Sequence, residues 1–169
     1  MGIAPSEFED SYEDEQTIRG AILTEPIRGL EPREPVCVRP KTSVRDAIEL
    51  MNDSGTGCVL VTQGERLVGI LTERDVLKKV VGKFDLDNLV ERFMTKNPET
   101  VGMDDGLAYA LNKMHVGGYR HVPVVDKEGR PVGVVSVRDL VKFIVSLFPA
   151  AVLNVPPEPG LAARALDGG

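Results

Sequence analysis

Tryptophan is missing from the chain, and phenylalanine and tyrosine together supply only five and three of its 169 residues. A core built from it must therefore be aliphatic and largely β-branched. The two cysteines, Cys37 and Cys58, have no companions at metal-ligand spacing, which removes a zinc site and a disulfide framework from consideration. Cys58 stands in an apolar run and reads as a buried free thiol, as expected of a reducing, cytoplasmic setting. His115 and His121 are the only histidines, and no Ser or Cys nucleophile accompanies them in a recognisable motif. Acid–base chemistry lacks its players, so an enzyme is not expected, and neither is a metal. No apolar run nears the ~20 residues of a membrane span, and the acidic start is unlike a signal peptide. Positive charge is also short. A net charge of −6 argues against nucleic acid as the main partner, although a local group of arginines could still oppose that sign around a small phosphorylated ligand.

What is present is a repetition. Gly69-Ile70-Leu71-Thr72-Glu73-Arg74-Asp75 returns as Gly133-Val134-Val135-Ser136-Val137-Arg138-Asp139, the glycines 64 positions apart. Each copy runs from an apolar strand into a helix-start signal. The glycine permits close backbone approach. Thr72 and Ser136 stand where their oxygens can cap exposed N–H groups, and the helix dipole favours an anion nearby. Thr72-x-x-Asp75 and Ser136-x-x-Asp139 also fit a capping box, and either copy alone would read as a helix start. Capping does not require Gly, hydroxyl, Arg and Asp together, so the matched pair points beyond it.

The likeness extends outward. Ala47 and Met51 match Ala110 and Met114, and Gly57-Cys58-Val59-Leu60-Val61 matches Arg120-His121-Val122-Pro123-Val124, both at an offset of 63. The extra residue falls in the turn between the paired strands, where insertions cost least. Units repeated at this length share a core, because neither buries its apolar face alone. With Gly118-Tyr119-Arg120-His121-Val122-Pro123-Val124-Val125, the two motifs make residues 34–148 resemble a tandem pair of CBS domains, or Bateman module. The resemblance implies an α+β sandwich of two pseudo-twofold βαββα repeats. It also implies clefts between the repeats for adenosine-containing ligands such as AMP, ADP, ATP or S-adenosylmethionine, a homodimer, and an effector carried by another protein.

In order, residues 1–15 read as an acidic, disordered leader. Residues 16–33 read as a short helix with Ile18, Ala21 and Ile22 on one face, ended by Pro26, and a connector. Repeat 1 spans 34–84: strand Val36-Cys37-Val38, a helix capped by Thr42 or Ser43, strands near 58–62 and 67–71, and a helix from Thr72 to Val81. Residues 85–148 hold a short linker helix and repeat 2, whose last helix is expected to bury Leu140, Val141, Ile144 and Leu147. Residues 149–169 form a Pro/Gly-rich tail.

An adenine nucleotide needs a carboxylate for its ribose diol, cations for phosphate and an apolar slot for the base. Asp75 and Asp139 can accept from both hydroxyls, and Arg74 and Arg138 offer charge-assisted bonds to phosphate. The resemblance adds Thr72 and Ser136 as ribose or phosphate contacts, and backbone near Val38, Thr100 and Pro123 for the base. Tyr119, Arg120 and His121 complete the candidates. The second repeat is expected to supply the better cleft, because Arg120 and His121 replace Gly57 and Cys58 and because Pro123, lacking an N–H, should mark an edge or an interruption. The competing reading is a structural dimerisation module with no physiological nucleotide.

Overall fold

The computed structural model describes residue 16 and residues 19–147; the leader, Ile18 and the tail lie outside the described residues. Helix α1 covers residues 19–24, with Ala21 and Ile22 half-buried, and stops before Pro26. Repeat 1 then runs β1 (Cys37–Val38), α2 (Val44–Ser54), β2 (Cys58–Gln63), β3 (Arg66–Thr72) and α3 (Glu73–Asp75). Strand β4 (Thr95–Lys96) follows, and repeat 2 runs α4 (Leu107–Gly117), β5 (His121–Val125), β6 (Pro131–Ser136) and α5 (Val137–Ser146). The architecture is α+β.

Ser43, not Thr42, caps α2, its side chain accepting from the Asp46 N–H at 3.0 Å. The helix buries Val44, Ala47 and Met51 at i, i+3 and i+7, and α4 buries Leu107, Ala110 and Met114 the same way. The helix expected after Thr72 is a single α turn followed by a wide π turn, Val76–Val80. The linker holds a short 3₁₀ turn, Val90–Arg92. On α5, Val141 is 53% exposed while Phe143 packs against the core. The seam residues are Leu140 and Phe143, three apart, and Val141 falls off their face.

Strands β1 to β4 pair in that order, β1 parallel to β2 and the others antiparallel. The β5–β6 hairpin is extended by two single bridges: Val101 beside Val124 in parallel, and Arg33 beside Val134 antiparallel. The two sheets match, and the match exposes an exchange. The segment before repeat 1 completes the sheet of repeat 2, while β4, the segment before repeat 2, completes the sheet of repeat 1.

The same exchange governs the cores. Ile27, in a 3₁₀ turn (Ile27–Leu30), is fully buried with Val101, Leu107, Val122 and Val124 of repeat 2. Val90 is buried with Val44, Val59 and Leu71 of repeat 1. Backbone bonds repeat the pattern: Ile27 N–H to Asp105 O at 2.9 Å and Leu107 N–H to Glu25 O at 2.8 Å, against Val90 N–H to Thr42 O and Val44 N–H to Asn88 O, both at 2.9 Å. A third cluster of Cys58, Leu60 and Ile70 with Val134 joins the repeats.

The motif glycines serve this crossing. A Cβ on Gly133 would lie 2.8 Å from Pro32 Cβ and 3.5 Å from the Arg33 carbonyl oxygen, whereas one on Gly69 would meet only the Met94 side chain. A proline ring cannot swing aside and a methionine can. Gly133→Ala should therefore cost about 1–3 kcal/mol by overpacking, and Gly69→Ala less, compared by urea midpoints. Equal costs would mean that the crossing segment yields at Pro32.

Candidate functional site

Both motifs cap their helices fully. In repeat 1 the Thr72 N–H and hydroxyl donate to Asp75 Oδ2 at 3.1 and 2.8 Å, and Thr72 Oγ1 accepts from the Asp75 N–H at 3.2 Å. In repeat 2 the Ser136 N–H and hydroxyl donate to Asp139 Oδ2 at 2.8 and 2.6 Å, and Ser136 Oγ accepts from the Asp139 N–H at 3.3 Å. Capping uses one oxygen of each carboxylate. Asp139 Oδ1 has no partner among the described residues, so in repeat 2 the two readings of the motif are compatible, whereas Asp75 Oδ1 lies 2.8 Å from Lys79 Nζ.

Two clefts flank the junction of the repeats. One, about 320 Å³, joins Thr72, Arg74 and Asp75 to Pro98, Glu99, Tyr119, Arg120 and His121. The other, about 610 Å³, joins Ser136, Arg138 and Asp139 to Arg33, Val36, Thr56, Gly57, Arg120 and His121. Both volumes suit a small organic ligand. Each cleft is composite, taking its capped carboxylate from one repeat and its opposite wall from the other, with the exchanged segments between them.

This arrangement places the candidates more finely. Tyr119 lies with Asp75 and not with Asp139. Arg120 and His121 line both clefts, so they do not favour the second as expected. Val38, Thr100 and Pro123 line neither; Val36 and Glu99 stand there instead. Val38 is buried in the core of repeat 1, 6% exposed, and Pro123 is likewise buried, between Val122 and Val124. Pro123 sits within β5, paired to β6 on one side and meeting only the single Val101 bridge on the other. The interruption expected there is real. Leu60, its counterpart, donates to the Val36 carbonyl at 2.8 Å, a bond Pro123 cannot make.

Charge in the clefts is mixed. Arg33, Arg120 and Arg138 have no ion-pair partner among the described residues, and they share the larger cleft with Glu34, Glu73 and Asp139. His121 is half-buried, and burial pushes it below its ordinary value of 6.5, with Glu73 and Asp139 pulling the other way and Arg120 adding to the fall. Held neutral, it can accept or donate in the wall between the clefts. Cys58 is pushed up to about 11 by burial, so its thiol is chemically quiet. Among the described residues no His, Cys, Asp and Glu group is arranged to hold a metal, and no helix is long and apolar enough to cross a membrane.

The sequence matches the family model described as the CBS domain twice, over residues 27–82 and 90–146. A 17.7 kDa protein of Acidianus ambivalens, described as uncharacterized, is 34% identical over 111 residues, covering 65% of this chain and 67% of that protein. The CBS domain-containing protein CBSCBSPB3 of Arabidopsis thaliana is 34% identical over 113 residues, covering 65% of this chain; the match spans only 20% of the plant protein. Among solved structures, the CBS domain protein PAE2072 from Pyrobaculum aerophilum, complexed with AMP, aligns with a TM-score of 0.66 at 30% identity, covering 75% of this chain and all 100% of that one. The CBS domain pair of protein MJ0100, complexed with 5′-methylthioadenosine and S-adenosyl-L-methionine, aligns with a TM-score of 0.67, covering 73% of this chain and 98% of that one; at 22% identity the likeness is one of fold.

Proposed function

The chain belongs to the CBS-domain family, and from that membership we propose that it is a regulatory module binding an adenosine-containing ligand in the clefts between its repeats. AMP, ADP, ATP and S-adenosylmethionine are the candidates, and the bound state is passed to a separate partner protein. The observation that carries this reading is the larger cleft. There an Asp139 oxygen without a partner among the described residues faces a space shared with Arg33, Arg120 and Arg138. A ribose diol and a phosphate ask for that combination. The AMP held by the Pyrobaculum relative supports it.

The same residues hold the fold, so a purely structural dimerisation module is the second reading. It would be favoured by apolar side chains filling the Asp139 cleft, and this cleft is unfilled, its walls polar and apolar in about equal measure. A homodimer is part of the proposal too, supported by Leu77, Val116 and Val141, 68%, 78% and 53% exposed on helical segments. Light scattering checks the mass. A thermal-shift screen over AMP, ADP, ATP, S-adenosylmethionine and NAD tests the ligand, since one that binds only the folded state stabilises by about 2.7 kcal/mol at a hundredfold excess over Kd. A raised midpoint with at least one adenosine compound is expected. No shift with any of them would leave the structural reading standing.

A further inference from the structure

The two clefts differ at a residue outside both motifs. Lys79 Nζ lies 2.8 Å from Asp75 Oδ1 and also donates to the Phe93 carbonyl at 2.8 Å. The Asp75 carboxylate is thus fully engaged, its Oδ2 by the cap and its Oδ1 by an ammonium. At the matching position of repeat 2 stands Phe143, 64 residues on, which can supply neither charge nor donor. Asp139 Oδ1 has no partner among the described residues, and a further cavity of about 330 Å³, lined by Arg33, Lys142 and Phe143, opens beside it. Lys79 sits in the π turn Val76–Val80, where repeat 2 continues as regular helix. Such wide turns concentrate at functional positions.

We infer that Lys79, which does not itself line the Asp75 cleft, ties up the carboxylate oxygen that a ribose diol there would need as an acceptor, so that each chain takes one adenosine ligand, at Asp139. A diol entering the Asp75 cleft would have to displace a charge-assisted bond from a carboxylate whose side chain is only 17% exposed. The same diol at Asp139 Oδ1 has no such bond to displace among the described residues. This assignment rests on the ligand reading above and names the residue that sets its stoichiometry.

Calorimetric titration with AMP tests it. Wild type should bind one AMP per chain. Lys79→Met, which keeps the aliphatic stem of a side chain 42% exposed, should bind two, the second within about tenfold of the first. Adding Asp75→Asn to Lys79→Met should return the count to one. If Lys79→Met folds poorly, Lys79→Gln keeps a donor for the Phe93 carbonyl without the charge and should also open the second site. Two equivalent sites in wild type, or a single site in both well-folded Lys79 variants, would overturn the assignment while leaving ligand binding intact. An absence of AMP binding in every variant would remove both.

Discussion

Truncating Ile27 to alanine should destabilise the protein by about 2–5 kcal/mol, the range for emptying a fully buried aliphatic site. The size of that effect is informative because of where Ile27 lies in the chain. It precedes the first repeat, in a turn-rich segment that could be taken for a tether. Yet its side chain is 0% exposed, in the core of the second repeat. If each repeat closed on itself, the truncation would cost a few tenths of a kcal/mol, as at an exposed connector. Denaturant midpoints with an unchanged m-value would check it. Val90→Ala should act in the same direction on the first repeat's core, with a smaller loss because fewer methyl groups leave. A cost below about 1 kcal/mol for Ile27→Ala would mean that the exchanged segment does not hold the second core together.

That exchange shows where the amino-acid pattern stopped being readable. The apolar stripes of α2 and α4, the strand pairs and the capped turns at Thr72 and Ser136 follow from local periodicity and internal likeness, and the structure holds each of them, while the stripe of α5 shifts from Val141 to Phe143. What periodicity cannot say is which core receives an apolar residue from a connector. Ile27 and Val90 are 63 positions apart, the same offset as the helices, so the swap was encoded in the repeat. Reading it required extending the alignment through the connectors, beyond the strands and helices.

The cleft residues were legible in part for a related reason. The motif residues 72–75 and 136–139 cluster with arginines as their types suggested. Which wall faces which carboxylate depends on the crossing between repeats, so local pattern alone does not place Tyr119 beside Asp75 or single out Val36 and Glu99. Lys79 gives no signal in the sequence, because an Asp–Lys pair at i, i+4 is ordinary on a helix surface. Its meaning emerges only when Phe143 is set beside it.

Asp139→Asn should lower affinity for an adenosine ligand roughly ten- to 150-fold, from about 1.5–3 kcal/mol for hydrogen bonds to a charged group. The variant separates the two duties of the side chain. The amide oxygen can still accept from the Ser136 N–H and hydroxyl, which now reach Oδ2 at 2.8 and 2.6 Å, so the cap survives. The amide nitrogen then faces the cleft as a donor where two ribose hydroxyls need an acceptor. Removing a negative charge from the cleft that holds Arg33 and Arg138 works the other way and would favour phosphate, which limits the loss. Stability should fall by no more than the roughly 1 kcal/mol of a weakened helix cap, measured in the same buffer by denaturant titration. Asp75→Asn serves as the internal comparison: its Oδ1 already faces Lys79 at 2.8 Å, so affinity should change less than threefold, within the scatter of such measurements. A normal affinity in Asp139→Asn, accompanied by a stability loss, would reduce Asp139 to a helix cap. The ligand would then have to be sought at Asp75.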